Sequence, residues 1–294
     1  RDNSVSCASC HHPDRAFSDG GKQFSAGVGG KTTDRNAMPI FNLAWVSEFF
    51  WDGRAPLLRK QALEPIEHPH EMAETLPRVV AKLMADRGLA AQFEHALGGP
   101  IDAERIGLAL EQYLLSIVSQ DARFDRVMKG ADTFTPLEKR GLELFLTEHD
   151  PPNGLRGADC FHCHGGSLFT SNRLTNNGLK LQPKDIGRER VTRDAADRGK
   201  FRVPSLRNVA LTGPYMHDGR FQTLEQVIDH YDSGVERGAT LDPNLAKHPK
   251  EGLRLSADDK AALAAFLRTL TDPAFGPAPA TGQAKLNPPS RPNP

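Results

Sequence analysis

The chain has 294 residues, enough for two domains of ordinary size and too few for a large multidomain assembly. Lysine plus arginine and aspartate plus glutamate both number 37, so the formal charge is zero and we expect no surface for nucleic acid. No run of about 18 apolar residues occurs, so we expect no membrane-spanning helix.

All four cysteines fall in two copies of the pattern C-x-x-C-H. In this pattern the two thiols form thioethers with a haem, and the histidine that follows binds the iron. The first copy consists of Cys7, Cys10 and His11, and the second of Cys160, Cys163 and His164. A single C-x-x-C would also fit a redox disulfide or half of a zinc site. Two copies with their histidines, and no cysteine left over, favour two covalently bound haem c groups.

Haem attachment of this type belongs to the oxidising side of a bacterial membrane, so we expect a periplasmic protein. The first cysteine is residue 7, which leaves no room for the helix that a haem-binding unit normally has upstream of its motif. We therefore expect that an N-terminal segment preceding residue 1 has been lost.

Apolar residues at three- and four-residue spacing predict a mainly α-helical protein. The predicted helices cover residues 76–97, 101–118, 137–145, 224–231 and 255–270. The 26 glycines and 22 prolines are concentrated in long segments around the haem motifs. We expect two cytochrome c-like helical domains with long loops, each binding one haem. The predicted boundaries are 1–132 for the first domain, 133–274 for the second and 275–294 for a proline-rich tail.

An internal repeat supports the two-domain prediction. Residues 42–54 align without a gap with residues 208–220, with Asn, Ala, Asp, Gly and Arg at equivalent positions. In the same register, Leu58 aligns with Leu224 and Pro65 with Tyr231. Duplication of a one-haem unit explains this repeat, and we expect functional differences where the two halves disagree.

The reactivity of a haem depends on whether the second axial position of its iron is occupied. We expect the two haems to differ at this position. Tyr231 lies on the apolar face of the helix that begins at Leu224, where its phenolate could bind the second iron. Pro65 has no donor atom, so the equivalent position of the first haem could stay open. The residues alone also allow Tyr231 to be a core tyrosine with a satisfied hydroxyl.

Several longer motifs resemble those of the bacterial di-haem cytochrome c peroxidase and MauG superfamily. Besides the two haem motifs, these are FWDGRA at 50–55, HEM at 70–72, VPSLRN at 203–208 and PYMHDG at 214–219. The resemblance covers most of the chain, and its motifs are long and specific. It implies a two-haem peroxide-reactive enzyme, whose site residues can be assigned where they match.

The resemblance implies roles for four residues near the first haem. Trp51 matches the tryptophan that bridges the haems, Gln61 and Glu71 match polar residues of the peroxide pocket, and Pro65 matches the proline above the open haem. Hydrogen peroxide would bind there, with Glu71 moving a proton and Gln61 positioning the oxygens. From the residues alone, Glu71 could be a solvated loop carboxylate, Gln61 a helix-surface residue, and Trp51 an aromatic packed on haem.

The resemblance also implies a calcium ion between the haems, with ligands that match Asn36, Thr212 and Pro214. Two departures distinguish this chain from the peroxidases of the superfamily. Where those place a removable histidine on the first haem, this chain has Gly27-Val28-Gly29, and where they place methionine on the second haem, it has Tyr231. Both departures are MauG-like. Met216 is the alternative ligand of the second iron, because a thioether also binds haem.

The preferred hypothesis is a MauG-like oxidase that uses hydrogen peroxide to oxidise tryptophan or tyrosine residues of a partner protein. The first alternative is a peroxidase that takes electrons from a small cytochrome or copper protein. The second alternative is an electron carrier with two closed haems. MauG uses a tryptophan just before its second haem motif as an electron relay, whereas this chain has Ala158 there, so its route to the partner is expected to differ.

Overall fold

The computed structural model describes residues 1–277, which form a mainly helical protein with little sheet. The α-helices of the first half are α1 Leu58–Gln61, α2 Glu64–Glu67, α3 Leu76–Met84, α4 Arg87–Leu97, α5 Ala103–Leu115 and α6 Arg123–Met128. Those of the second half are α7 Pro136–Leu146, α8 Phe161–His164, α9 Glu189–Thr192, α10 Leu224–Asp229, α11 Pro243–Ala246 and α12 Ala257–Arg268. Two short antiparallel ladders pair β1 His149–Asp150 with β2 Leu155–Arg156, and β3 Leu174–Thr175 with β4 Phe201–Arg202. Within residues 1–277, no helix combines the length and hydropathy needed to cross a membrane.

The helix predicted over residues 76–97 is in fact two helices, because Asp86 interrupts it. The Asp86 side chain accepts a hydrogen bond of 3.0 Å from the backbone N–H of Leu89 and so caps the start of α4. Ser256 caps α12 in the same way, by accepting from the N–H of Asp259 at 3.1 Å. Short polar side chains at these positions therefore set where the helices begin.

The core of the second half forms where α7 packs against α12. A side chain at Gly141 would bring its Cβ to 2.0 Å from the carbonyl oxygen of Ala262, so only glycine allows the helices to come this close. The buried rings of Phe145 and Phe266 meet beside this contact, with centroids 5.2 Å apart. Burial of each ring stabilises the fold by roughly 1.5–3 kcal/mol. Phe145 of this pair also lines the cavity beside the second haem motif.

The internal repeat is visible in the backbone. Asn42 and Asn208, which align in the sequence, have φ angles of 55° and 57°. Isolated antiparallel bridges also occur at equivalent positions of the two halves, Phe49 with Ala55 and Tyr215 with Phe221. This shared local geometry at aligned positions is consistent with the duplication predicted from the sequence.

The two aligned asparagines meet at a buried serine. Asn42 donates from its amide to the backbone oxygen of Ser119 at 3.1 Å and accepts from its N–H at 2.9 Å. Asn208 donates to the Ser119 hydroxyl at 3.0 Å and accepts from the N–H of Asp272 at 2.8 Å. A buried and satisfied polar network of this kind holds its members in one arrangement. It therefore fixes the two halves against each other.

Side-chain packing extends across the domain boundary that the sequence predicts at residue 132. Phe124 of α6 lies in the first predicted domain, but its ring packs against Phe169 and Phe266 of the second, with centroids 4.9 and 6.1 Å away. The loop between α6 and α7 contains the predicted boundary. The division into residues 1–132 and 133–274 stays a proposal, with α6 packed on the second half.

The end of the described chain returns to the first half. Phe275, the first residue of the predicted tail, is 1% exposed and packs against Phe17 and Phe41, with ring centroids 6.0 and 5.5 Å away. Its backbone oxygen also accepts from the N–H of Ala16 at 2.9 Å. Phe275 is therefore a core residue, and the rest of the predicted tail, from residue 278, lies outside the described residues.

Candidate haem sites and the residues between them

The histidines of the two haem motifs have the same environment. Nδ1 of His11 lies 2.8 Å from the backbone oxygen of Phe17, and Nδ1 of His164 lies 3.1 Å from that of Phe169. Because a carbonyl oxygen only accepts, each Nδ1 carries the proton and each Nε2 is free to bind a metal. Burial lowers the pKa of both rings, that of His164 to about 4, and so favours the neutral form that binds iron.

The four cysteines are not joined by disulfides. The first cysteine of each motif lies one helical turn before its histidine, since the N–H of His11 bonds to the oxygen of Cys7 and that of His164 to the oxygen of Cys160, both at 3.0 Å. Burial raises the pKa of the Cys160 thiol to about 12, unlike the low pKa of a redox-active thiol. Unpaired thiols beside a neutral imidazole fit covalent attachment of haem c.

A cavity of about 210 Å³ contains the second haem motif. Its lining includes Cys160, Cys163 and His164, together with Leu224, Val227 and Ile228 of α10. Tyr231 lines it from a π-helical turn, His230–Gly234, that continues α10. The apolar face predicted from the sequence thus borders this cavity, and π-helical turns of this kind are frequent at functional sites.

Tyr231 and Met216, the two candidate ligands of the second iron, meet at one amide. Nδ2 of Asn177 donates to the Tyr231 hydroxyl at 3.2 Å and lies 3.4 Å from the Met216 sulfur. Both side chains line the cavity. Burial raises the pKa of Tyr231 to about 12, so the phenol is neutral unless a nearby cation favours the phenolate.

A buried arginine in the cavity wall has no acidic partner among residues 1–277. Arg202 is 7% exposed, and its one side-chain hydrogen bond to another described residue goes to the sulfur of Met38 at 3.5 Å. Its Nε has no partner within the described residues, and burial lowers its pKa to about 10. A buried unpaired guanidinium is costly. A carboxylate brought by a ligand would pair with it, and a haem carries two propionates, so the cavity fits this cofactor.

Trp51 comes from the first half but lines the cavity of the second. Its indole N–H donates to the backbone oxygen of Asn36 at 2.9 Å, and its own carbonyl accepts from the N–H of Arg202 at 2.7 Å. The first bond orients the indole ring, and the second fixes the backbone that carries it. The arrangement suits the predicted bridging role, and it also buries a large aromatic surface.

His217 belongs to the site but was missed by sequence reasoning. Its ring stacks on Phe201, with centroids 3.7 Å apart, and meets Trp51 edge-on at 6.5 Å. Burial lowers the pKa of His217 to about 4, so the ring is neutral. The internal repeat could have identified His217, because this residue aligns with Trp51 when residues 208–220 are placed on 42–54.

The three predicted calcium ligands, Asn36, Thr212 and Pro214, line the same cavity. Asn36 donates from its amide nitrogen to the backbone oxygens of Lys22 and Gln23 at 3.1 and 3.2 Å, which leaves its side-chain oxygen as an acceptor. Calcium binds side-chain and backbone oxygens. The available oxygen of Asn36 fits such an ion.

Glu71 lies near the first haem motif. Burial raises the pKa of Cys7 and Cys10, and the charge of Glu71 adds to the rise at both thiols. Burial also raises the pKa of Glu71 itself, which His68 approaches at 3.4 Å. The backbone oxygen of Glu71 accepts from the N–H of Val28 at 2.8 Å. The loop that carries Val28, in place of the removable histidine, therefore packs directly on the loop that carries Glu71.

Gln61 and Pro65 lie at the corner between α1 and α2. The oxygen of Pro65 accepts from the N–H of Met72 at 3.2 Å, which ties the helix corner to the residue after Glu71. The Gln61 side chain is half-buried and makes no hydrogen bond with the described residues. The structure thus connects Pro65 with the Glu71 loop, and leaves the Gln61 amide free to bind a ligand.

Sequence patterns did not indicate an ion-pair cluster beside the second haem motif. The fully buried carboxylate of Asp159 lies 2.8 Å from His248 and 3.0 Å from both Lys247 and His162. Glu148 extends the cluster to the surface at 3.2 Å from His162. Three of these residues have the spacing of metal ligands, but the Lys247 ammonium already supplies the positive charge there.

Comparison with known proteins gives consistent matches. The family model described as di-haem cytochrome c peroxidase matches residues 1–133. The methylamine utilization protein MauG of Methylorubrum extorquens is 38% identical over 275 residues, which cover 92% of this chain and 73% of that protein. A cytochrome-c peroxidase of Denitromonas iodatirespirans is 31% identical over 301 residues, covering 92% and 77%. The crystal structure of a MauG-like protein associated with microbial copper homeostasis superposes with a TM-score of 0.82 at 33% identity, covering 92% of this chain and 85% of that one.

Proposed function

The chain belongs to the family of di-haem cytochrome c peroxidases and MauG proteins and is a haem-dependent oxidoreductase, and on this premise we propose that it is a MauG-like oxidase. It would use hydrogen peroxide to oxidise tryptophan or tyrosine residues of a partner protein in the periplasm. Two haem c groups and one calcium ion would be its cofactors.

The observation that carries this proposal is the position of Tyr231. Its phenol lines the cavity that contains His164, and the Asn177 amide donates a hydrogen bond to its oxygen. A phenolate in that position would give the second iron an anionic ligand, which lowers its reduction potential and stabilises oxidised states. The peroxidases of the family place methionine there, and a thioether favours the reduced state instead.

The loop around Val28 supports an open first haem. Val28 is 6% exposed and has a purely apolar side chain, so it cannot bind iron. A Cβ at Gly27 would lie 1.9 Å from the backbone oxygen of His70, so this loop is tightly packed in its present position. A site of this kind would be open to peroxide without prior reduction of the enzyme.

Residues around the first haem would handle the substrate. The bound haems supply the iron that takes two oxidising equivalents from peroxide. Glu71 would take the proton from the near peroxide oxygen and return it to the far one, which leaves as water. Gln61 would hold the peroxide by hydrogen bonding. Pro65 would keep a protein donor away from the iron, and Trp51 would carry electrons between the two sites.

Met216 favours a second candidate function. Its sulfur lies within 3.4 Å of the same Asn177 nitrogen and lines the same cavity. If Met216 rather than Tyr231 binds the second iron, the potential of that haem is higher. The protein would then be a peroxidase that reduces hydrogen peroxide with electrons from a small cytochrome or copper protein.

The test uses the enzyme with both haems attached. Peroxide is added without an electron donor, and the visible spectrum is followed over time. A long-lived oxidised form supports the oxidase, whereas rapid turnover with reduced small cytochrome and no such form supports the peroxidase. Carbon monoxide binding to the reduced first haem would exclude an electron carrier with two closed haems. Failure of peroxide to change the spectrum would overturn the proposal.

A further inference from the structure

The chain contains only two tryptophans and three tyrosines, the side chains that are most easily oxidised by one electron. Trp51, Tyr215 and Tyr231 line the second-haem cavity. The other two, Trp45 and Tyr113, lie at the surface and are 53% and 58% exposed. Of these five side chains, Trp45 and Tyr113 are therefore the most accessible to a protein outside.

Trp45 lies against the wall of the second-haem cavity. A small pocket lined by Trp45 is also lined by Arg202, Pro204 and Ser205, and these three residues line the haem cavity as well. Trp45 and the haem cavity are therefore connected through residues that line both spaces. Tyr113, by contrast, lies on α5 and lines neither of these cavities.

The backbone at Trp45 is held where the two halves meet. Its carbonyl oxygen accepts a hydrogen bond of 2.9 Å from the side-chain amide of Asn172, which follows the second haem motif. Its N–H bonds to the oxygen of Asn42, one of the two aligned asparagines. The ring is exposed while its backbone is fixed, which is the geometry of an aromatic that a protein partner can contact without rearrangement.

We propose that Trp45 is the electron relay through which this enzyme oxidises a redox-active protein partner that contacts the exposed indole. The proposal rests on the proposed peroxide chemistry. The Trp45 indole gives one electron to the oxidised second-haem site and becomes a radical cation. An aromatic side chain or reduced metal centre of the partner returns the electron. Two such transfers, with two protons from solvent, complete the reduction of one hydrogen peroxide to two waters.

The relay explains how a large partner reacts with a buried site. The cavity is too small to admit a protein, so the electron must leave through the wall. The route that an electron takes through a protein depends on where the fold positions its redox-active groups. Ala158, which stands where MauG has its relay tryptophan, is buried and offers no aromatic ring. Trp45 supplies one on a different part of the surface.

The test compares the wild type with Trp45→Phe, Trp45→Tyr and the control Tyr113→Phe, all with both haems attached. Each is oxidised with one equivalent of peroxide, and reduced cytochrome c is added as the probe. We expect Trp45→Phe to lower the rate of cytochrome oxidation by about tenfold or more. Trp45→Tyr should restore much of that rate, and Tyr113→Phe should leave it unchanged.

A second readout does not depend on a partner. With excess peroxide and no donor, peptide mass spectrometry should find added oxygen on the Trp45 indole and far less on Tyr113. Equal cytochrome oxidation by wild type and Trp45→Phe would overturn the relay, while peroxide-induced spectral changes would leave the proposed function standing. If peroxide leaves the wild-type spectrum unchanged, the proposed function fails and the relay fails with it.

Discussion

The side-chain amide of Asn177 donates a hydrogen bond of 3.2 Å to the hydroxyl of Tyr231. The same nitrogen lies 3.4 Å from the sulfur of Met216, so one amide holds both side chains that could bind the second iron. An amide donor stabilises a phenolate more than it does a thioether, because the phenolate oxygen is charged. Substitutions of these side chains therefore separate the two proposed functions.

Tyr231→Phe should raise the reduction potential of the second haem and remove the spectroscopic signature of phenolate ligation. The physical reason is the loss of an anionic ligand that favours the oxidised iron. Redox titration and magnetic circular dichroism of the holoenzyme measure both effects. Met216→Leu is the matched control and should change neither. If instead Met216→Leu shifts the reduction potential and Tyr231→Phe does not, Met216 is the ligand of the second iron.

Glu71→Gln should slow the reaction of the oxidised enzyme with peroxide by about 10²-fold, because the amide cannot transfer the proton. Stopped-flow absorbance measures this rate. Glu67→Gln is the control, since Glu67 is exposed on the neighbouring helix α2 and should react at the wild-type rate. An unchanged rate in Glu71→Gln would remove Glu71 from the mechanism.

The same reaction should depend on pH in a direction set by the pKa of Glu71. Burial raises this pKa, while His68 and Arg54 lower it and Glu64 raises it further, with a net shift upward. Glu71 must be ionised to accept a proton, so the rate should fall as the pH drops through a value above that of an ordinary carboxylate. Stopped-flow rates across pH should show this fall in the wild type and not in Glu71→Gln.

Arg202→Met should lower the reduction potential of the second haem. The guanidinium is a buried positive charge in the cavity wall, and its removal makes the oxidised iron less unfavourable. Redox titration of the two haems gives the shift. Arg190→Met removes a charge that is 55% exposed and should leave both potentials unchanged. Equal potentials in wild type and Arg202→Met would mean that Arg202 does not face the haem.

Asp125→Asn should destabilise the protein by about 3–5 kcal/mol, because it leaves the buried guanidinium of Arg207 without an anionic partner. Arg207 is bound by both oxygens of Asp125 at 2.8 Å, with the two side chains 6% and 12% exposed. Urea unfolding of the holoprotein measures the loss. Asp14→Asn, at an exposed site, should change the free energy of unfolding little.

The contribution of Asp125 to stability should also be lost in acid. Burial alone would raise the pKa of Asp125, but the hydrogen bonds and charge of Arg207 lower it below its ordinary value. Because the folded pKa is depressed, the stabilisation is fully present above the ordinary carboxylate pKa and is lost as the pH falls through the folded value. The difference in stability between wild type and Asp125→Asn should shrink over that acid range.

Short motifs allowed much of the site to be predicted. The chemistry of C-x-x-C-H is local, so His11 and His164 could be assigned from five residues each, and both have a free Nε2. Helical periodicity placed Tyr231 on the face that borders the cavity. Its ligation of iron, like the roles of Glu71 and Gln61, stays a prediction.

Contacts between distant residues could not be predicted from patterns. Arg202 stands beside a recognisable motif, but its burial without an acidic partner among residues 1–277 results from how the halves pack. The stack of His217 on Phe201 has no local signature either. The break at Asp86 was missed because apolar periodicity continues across it, although the capping side chain was visible in the sequence.

The burial of Phe275 has a consequence for how the chain is made. Its ring completes a hydrophobic cluster with Phe17 and Phe41, so the first half lacks a core residue until the chain has been synthesised as far as residue 275. A fragment released or cleaved before residue 275 would expose those rings to solvent. Truncation just before Phe275 would therefore weaken the fold near the opposite end of the described chain.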